Sequence, residues 1–129
     1  MTPLGILLLS GMHDRAHYAF VLATGAASIG RRVVIFATNA GCHALLADWS
    51  GLTDAAGDAR IRDARIRAAG VAGLDELREA ATALDIELIA CEAGLRAESL
   101  GTAKLYPGVK VAGVVTFLSQ VGAGQIVAI

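Results

Sequence analysis

The sequence predicts one α/β domain, residues 1–129, built as a three-layer sandwich around a mostly parallel sheet. Three observations predict it. Apolar runs at Leu4–Leu9, Val33–Phe36, Ile86–Ala90 and Gln125–Ile129 are continuous rather than alternating, the mark of strands buried on both faces. Helix-spaced stretches separate these runs, and strand–helix alternation means parallel pairing through crossovers. Hydrophobic residues make up 55% of the chain and charged residues only 18%, a composition that excludes disorder. A chain of this size buries about two-thirds of its unfolded surface, so it needs no disulfide or metal to hold a core.

Leu4–Leu9 reads as the first strand, closed by Ser10-Gly11. Asp14 stands where an N-cap belongs, and Arg15–Ile29 is apolar at Ala16, Ala19, Phe20, Ala23, Ala26 and Ala27, which is helical spacing. Gly30 suits the position just past that helix. Val33–Phe36 is the second strand, and Asn39-Ala40-Gly41 turns into a short helix from Cys42 to about Ala47. Leu74–Leu84 is an amphipathic helix with Leu74, Leu77, Ala80, Ala81 and Leu84 on one face. Ile86–Ala90 is the third strand, ending in Cys91, and Glu92–Leu100 is a short helix stopped by Gly101. Tyr106-Pro107-Gly108 is a turn. Val109–Val121 reads either as a strand followed by a helix or as mainly a helix, and Gln125–Ile129 is the last strand.

The stretch Asp48–Gly70 breaks the pattern. It carries Gly51, Gly57 and Gly70, and the pentapeptide Asp58-Ala-Arg-Ile-Arg repeats at once from Asp63. One reading is a solvated, partly helical excursion with Ile61 and Ile66 resting on the body. The other is a basic patch of Arg60, Arg62, Arg65 and Arg67 for an anionic partner, although Asp58 and Asp63 offset half of its charge.

Several function classes drop out. A net charge of −1 leaves no electrostatic footprint for nucleic acid. Mean hydropathy is high at +0.58, but the most apolar stretch, Val111–Ile129, is split by Gly113, Gly122 and Gly124, so a membrane span is not expected. Met1–Ser10 has no basic start and no small-residue cleavage pattern, so no secretion signal is read and a cytoplasmic protein is expected. The two cysteines, Cys42 and Cys91, exclude a disulfide scaffold and a four-cysteine zinc site, and they form no Cys-x-x-Cys pair. His13 and His17 share a helix face, but no third metal ligand accompanies them. No glycine-rich phosphate loop is present, and no cofactor is expected. The apolar excess that remains points to an oligomer interface.

Ligands of open parallel sheets bind outside the carboxyl ends of the strands, at the switch in strand order. A flavodoxin-type order makes the first and third strands neighbours there. It would set Cys91, Glu92, Ala93 and Gly94 against Ser10, Gly11 and His13. Cys91 also precedes a short helix, whose free N–H groups and dipole favour a thiolate, with Arg96 adding positive charge and Glu92 opposing it. The plain alternative is that Cys91 is a small buried hydrophobe at a strand end. That alternative is stronger for Cys42, which lies among small and apolar residues.

Ser10-Gly11, Asp14 and His17-Tyr18-Ala19 leading into an Ala-rich helix resemble the start of small DsrE/DsrF-like proteins. Val33–Phe36 followed by Ala37-Thr38 is similar to that family's second strand. Gly73-Leu74-Asp75-Glu76-Leu77, then Ile86–Ala90 with Cys91-Glu92-Ala93, resembles its helix, strand and cysteine, and Val111–Leu118 resembles its closing helix. The resemblance covers nearly the whole chain except Asp48–Gly70; that segment and Cys42 depart from the family pattern. It implies a flavodoxin-like or Rossmann-like sandwich that assembles as a homotrimer or homohexamer. It also implies sulfur-relay chemistry, in which Cys91 carries a persulfide between donor and acceptor proteins, with His13 favouring or orienting the thiolate. Two other functions compete on the same fold: a small-ligand module without covalent chemistry, and an assembly or regulatory subunit whose surface is what matters.

Overall fold

In the computed structural model, which describes all 129 residues, five strands form one parallel sheet. They are β1 (Leu4–Leu8), β2 (Val33–Ala37), β5 (Glu87–Cys91), β6 (Lys110–Ala112) and β7 (Gln125–Ala128). Two shorter strands, β3 (Thr53–Asp54) and β4 (Gly57–Asp58), make a separate antiparallel hairpin. The helices are α1 (His13–Ser28), α2 (Ala59–Ala68), α3 (Leu74–Ala83), α4 (Glu92–Ala97) and α5 (Val114–Val121), with a 3₁₀ segment at Asn39–Leu45. The three-layer α/β sandwich read from the sequence is the observed architecture.

Strand order is β6-β5-β2-β1-β7. The chain steps in one direction from β1 through β2 and β5 to β6, and α5 then returns it to β7 beside β1. The order therefore reverses between β1 and β7. The expected adjacency of the first strand and the Cys91 strand does not occur, because β2 pairs with both and lies between them.

Alternation along the strands explains the layers. Leu4, Ile6, Leu8, Val33, Ile35, Ala37, Leu88 and Ala90 join the larger core with α1 and α3, from which Phe20 and Leu74 enter fully buried. Val34, Phe36, Ile89 and Cys91 face the other way, against Phe117 and Val121 of α5. Phe36 and Phe117 stack with ring centres 5.0 Å apart. Gly5 is what lets α5 come so close: a Cβ there would lie 2.4 Å from a Val121 methyl.

Several boundaries move for local reasons. Asp14 is not the cap of α1. The helix begins two residues earlier, at His13 with Met12 as its cap, and the Ser10 hydroxyl accepts the Met12 N–H, leaving Asp14 exposed in the first turn. The expected Cys42–Ala47 helix is instead the 3₁₀ segment, opened by Asn39 at φ 51°. Helix α4 stops at Ala97 before Gly101, because Ser99 turns the chain at φ 57°. Leu84 falls off the buried face of α3, and Arg78 takes a buried place instead. Val109–Val121 resolves as a strand followed by a helix.

The two sheet faces are covered unequally. One carries α1 and α3; the other carries only α5, and around it Val111, Val114, Val115, Leu118 and Ile126 stay exposed, Val115 at 76%. The total surface of 6404 Å² is ordinary for a chain of this mass, about 6,400 Å². The excess apolarity thus appears as the kind of surface left out, not its extent. No helix is long and apolar enough to cross a membrane.

Candidate functional site

Cys91 ends β5 and starts α4 at once, so the same residue closes a strand and caps a helix. Its Sγ accepts the Gly94 N–H at 3.4 Å. Packing against the Phe36–Phe117 side leaves it only 8% exposed. Gly94 makes the turn possible: a Cβ there would sit 2.7 Å from Thr38 Oγ1 and 2.9 Å from the Asn39 nitrogen. The first turn of α4 therefore presses directly onto the start of the 3₁₀ segment. Glu92 and Arg96 neutralise each other in an exposed i,i+4 pair, so Arg96 brings no uncompensated charge to the sulfur. Ala93 is exposed. Beside this corner a cavity of about 250 Å³ is lined by Leu95, Leu100, Leu105 and Val111 together with Glu92 and Arg96.

Cys42 is the other thiol, fully buried in the larger core. It donates to the Ala37 carbonyl at 3.6 Å. Burial first, and then the neighbouring Cys91 and Glu98, push its thiol up to about 11. Its environment keeps the proton on.

His13 does not reach Cys91. It lies at the start of α1 on the larger-core side, fully buried, and donates from Nε2 to Asp63 Oδ1 at 2.8 Å. Two things separate it from the thiol: β2 stands between β1 and β5, and Cys91 points to the opposite sheet face. Asp63 also accepts the Leu74 N–H at 2.9 Å and the Arg67 Nε–H at 3.2 Å. Burial would raise the Asp63 carboxyl, but the Leu74 N–H, His13 and Arg67 outweigh it and hold it below the usual carboxylate range. His17 stacks on His13 with ring centres 5.9 Å apart and donates to the Ala72 carbonyl. Trp49 packs against His13 at 5.6 Å and donates to Asp75 Oδ1.

Ser10 and Gly11 stay with β1 rather than joining the thiol. The Ser10 hydroxyl takes the Met12 N–H, and the Gly11 carbonyl takes the Thr53 N–H at 2.8 Å. Gly11 also packs on Ala40 so tightly that a Cβ would come within 2.6 Å of the alanine methyl. Of the expected site, Cys91, Glu92, Ala93 and Gly94 form one corner, while Ser10, Gly11 and His13 belong to another.

The family profile of DsrE/DsrF/DrsH-like proteins matches residues 50–128, more than half of the chain. The chain belongs to that family. Sulfur relay is the chemistry generally associated with it. The matched region holds β5, Cys91, α4 and α5, and from residue 50 on it takes in most of the Asp48–Gly70 stretch that the sequence resemblance left out. The fold is similar to that of the YchN protein from E. coli, with TM-score 0.66 and 14% identity over 100% of both chains. No curated protein matches the sequence.

Three further residues stand out in the structure by their burial and partners, and the sequence reading missed all three. Asp63 looks like half of a solvated repeat, yet its carboxylate is 3% exposed. Trp49 and Arg78 carried no periodic signal. Arg78 is buried in α3 and donates to the carbonyls of Ala44, Leu46 and Ala47, with its guanidinium 4.2 Å above the Tyr106 ring. The one clue was the repeat itself, since positions five apart along a helix point in different directions.

Proposed function

We propose that this protein is a sulfur carrier in which Cys91 holds sulfane sulfur as a persulfide and passes it on. The observation that carries the reading is the Gly94 N–H directed at Cys91 Sγ. A sulfur anion accepts such a bond better than a neutral thiol does. In the loading step, the Cys91 thiolate attacks the outer sulfur of a donor persulfide. The donor S–S bond breaks, the donor leaves as a thiolate, and a new S–S bond forms on Cys91. Discharge is the same exchange toward an acceptor thiolate, and neither step needs an outside oxidant.

The apolar face around α5 supports self-assembly as a homotrimer or homohexamer. Val114, Val115 and Leu118 on one helix and Ile126 on the neighbouring edge strand would be covered by further copies. Cys91 packs under this same helix, so assembly would shape the approach to the sulfur.

The test is sulfane loading. After incubation with a persulfide donor, wild type should show cyanolysable sulfur and a mass increase of one sulfur on the Cys91 peptide, and Cys91→Ser should show neither. Loading that survives Cys91→Ser overturns the reading. A monomer in light scattering at micromolar concentration overturns the assembly.

A further inference from the structure

We propose that α2 is a strap, latched by one buried carboxylate, which opens as a unit over the cavity beneath it. Helix α2 is ten residues long and buries only two of them, Ala59 and Asp63. Helix α3 has the same length and buries Leu74, Leu77, Arg78 and Ala81. Of its two large apolar side chains, Ile61 is 68% exposed and Ile66 only half-buried, so hydrophobic burial holds this helix weakly.

What holds it is Asp63. Its carboxylate reaches out of α2 to His13 at the start of α1 and to the Leu74 N–H at the start of α3. The remaining ion pair to the body, Arg60 with Asp48, is exposed on both sides and adds little. Gly73 is part of the latch: a Cβ there would stand 2.7 Å from Asp63 Oδ2 and 2.6 Å from Arg67 Cδ. The helix is bracketed by glycines at positive φ, Gly57 at 128° and Gly70 at 85°, which give the chain turning points on either side.

Beneath the strap lies a cavity of about 370 Å³. Arg60, Asp63 and Arg67 of α2 form one wall; Trp49, Asp48 and Asp75 line the body. That volume falls in the range of small-molecule sites. With the latch closed, Trp49 is 8% exposed and His13 is fully buried with its Nδ1 unpartnered. Lifting α2 uncovers both. The strap thus controls access to a polar site on the opposite sheet face from Cys91, which makes it independent of the sulfur-carrier reading.

Hydrogen exchange on the full chain, with peptides resolved by mass spectrometry, tests this together with fluorescence of the single tryptophan. In wild type, α2 amides should exchange faster than those of α1 and α3, at rates that rise with urea but less steeply than theirs, because lifting α2 exposes less surface than unfolding the whole domain. Asp63→Asn keeps the shape and removes the charge; Gly73→Ala keeps the charge and displaces the carboxylate. Each should speed α2 exchange about ten- to hundredfold, leave α1 and the sheet unchanged, and raise acrylamide quenching of Trp49. Exchange of α2 in step with α1 and the sheet, in wild type and variants alike, overturns the strap. So does faster α2 exchange with Trp49 still shielded. If a variant fails to fold, the wild-type urea series decides alone.

Discussion

The Cys91 corner and the His13–Asp63 cluster lie at the same carboxyl-terminal end of the sheet but are built from different materials. Cys91 receives a backbone N–H three residues away, and its neighbours Glu92 and Arg96 cancel each other. His13 receives a carboxylate from fifty residues away, in a helix that buries almost nothing else. A site made of backbone next in sequence is specified by a strand end and a helix start. A site made of distant side chains depends on every element that brings them together. The first is robust and chemically simple; the second is polar, coupled and able to come apart.

The largest expected effect lies between the two. Arg78 ties the end of the 3₁₀ segment, whose start presses on the Cys91 corner, through three carbonyls to α3, whose first N–H binds Asp63. Arg78→Ala should cost about 3–5 kcal/mol, because two buried acceptors and a part-buried third lose their donor at once. Urea unfolding followed by circular dichroism measures this. A loss below about 1 kcal/mol would mean that the two regions do not share this support.

Acid should separate the regions next. The Asp63 carboxyl is held below its ordinary range, so its contribution is fully present above the unfolded-state value of about 3.9 and is lost as pH falls through the lower folded value. Wild type should therefore exceed Asp63→Asn in stability at pH 7, by about 1–3 kcal/mol, and the gap should close in acid. Melting temperatures of the two proteins from pH 7 down to pH 2 trace that closure. A gap that stays constant would show that the charge of Asp63 is irrelevant to the latch. The Cys91 corner has no such carboxylate and should not contribute to the difference.

The smallest effect is on chemistry rather than stability. Cys42, with its thiol pushed up to about 11, should resist alkylation in the native protein, and Cys91 should be modified first. Peptide mass spectrometry after graded iodoacetamide exposure at pH 7 to 9 gives the order. Reaction at Cys42 first, or of neither thiol before unfolding, would make Cys91 an ordinary core residue.

Much of this was legible in advance because it is local. Continuous apolar runs mark strands buried on both faces, and helix spacing marks the faces of α1 and α3. Cys91 could be placed at a strand end followed by a helix start from its immediate neighbours alone. The same reasoning failed for His13. Its proximity to Cys91 assumed a strand order, and order depends on which way each crossover carries the chain. It failed again for the repeat. Asp58 and Asp63 sit in identical pentapeptides, yet Asp58 caps α2 through the Arg60 N–H while Asp63 is buried against His13.

The class of fold, the positions of the strands, and a thiol seated where a helix begins are all written into the chain locally. These follow from periodicity and from hydrogen bonding between near neighbours, which act over a few residues of chain. That β2 separates β1 from β5, that α5 alone covers one sheet face, and that Asp63 is the partner of His13 emerge only when the whole chain packs. Each of these depends on closing a long loop, and its outcome is set by packing of the whole domain rather than by the residues at its ends.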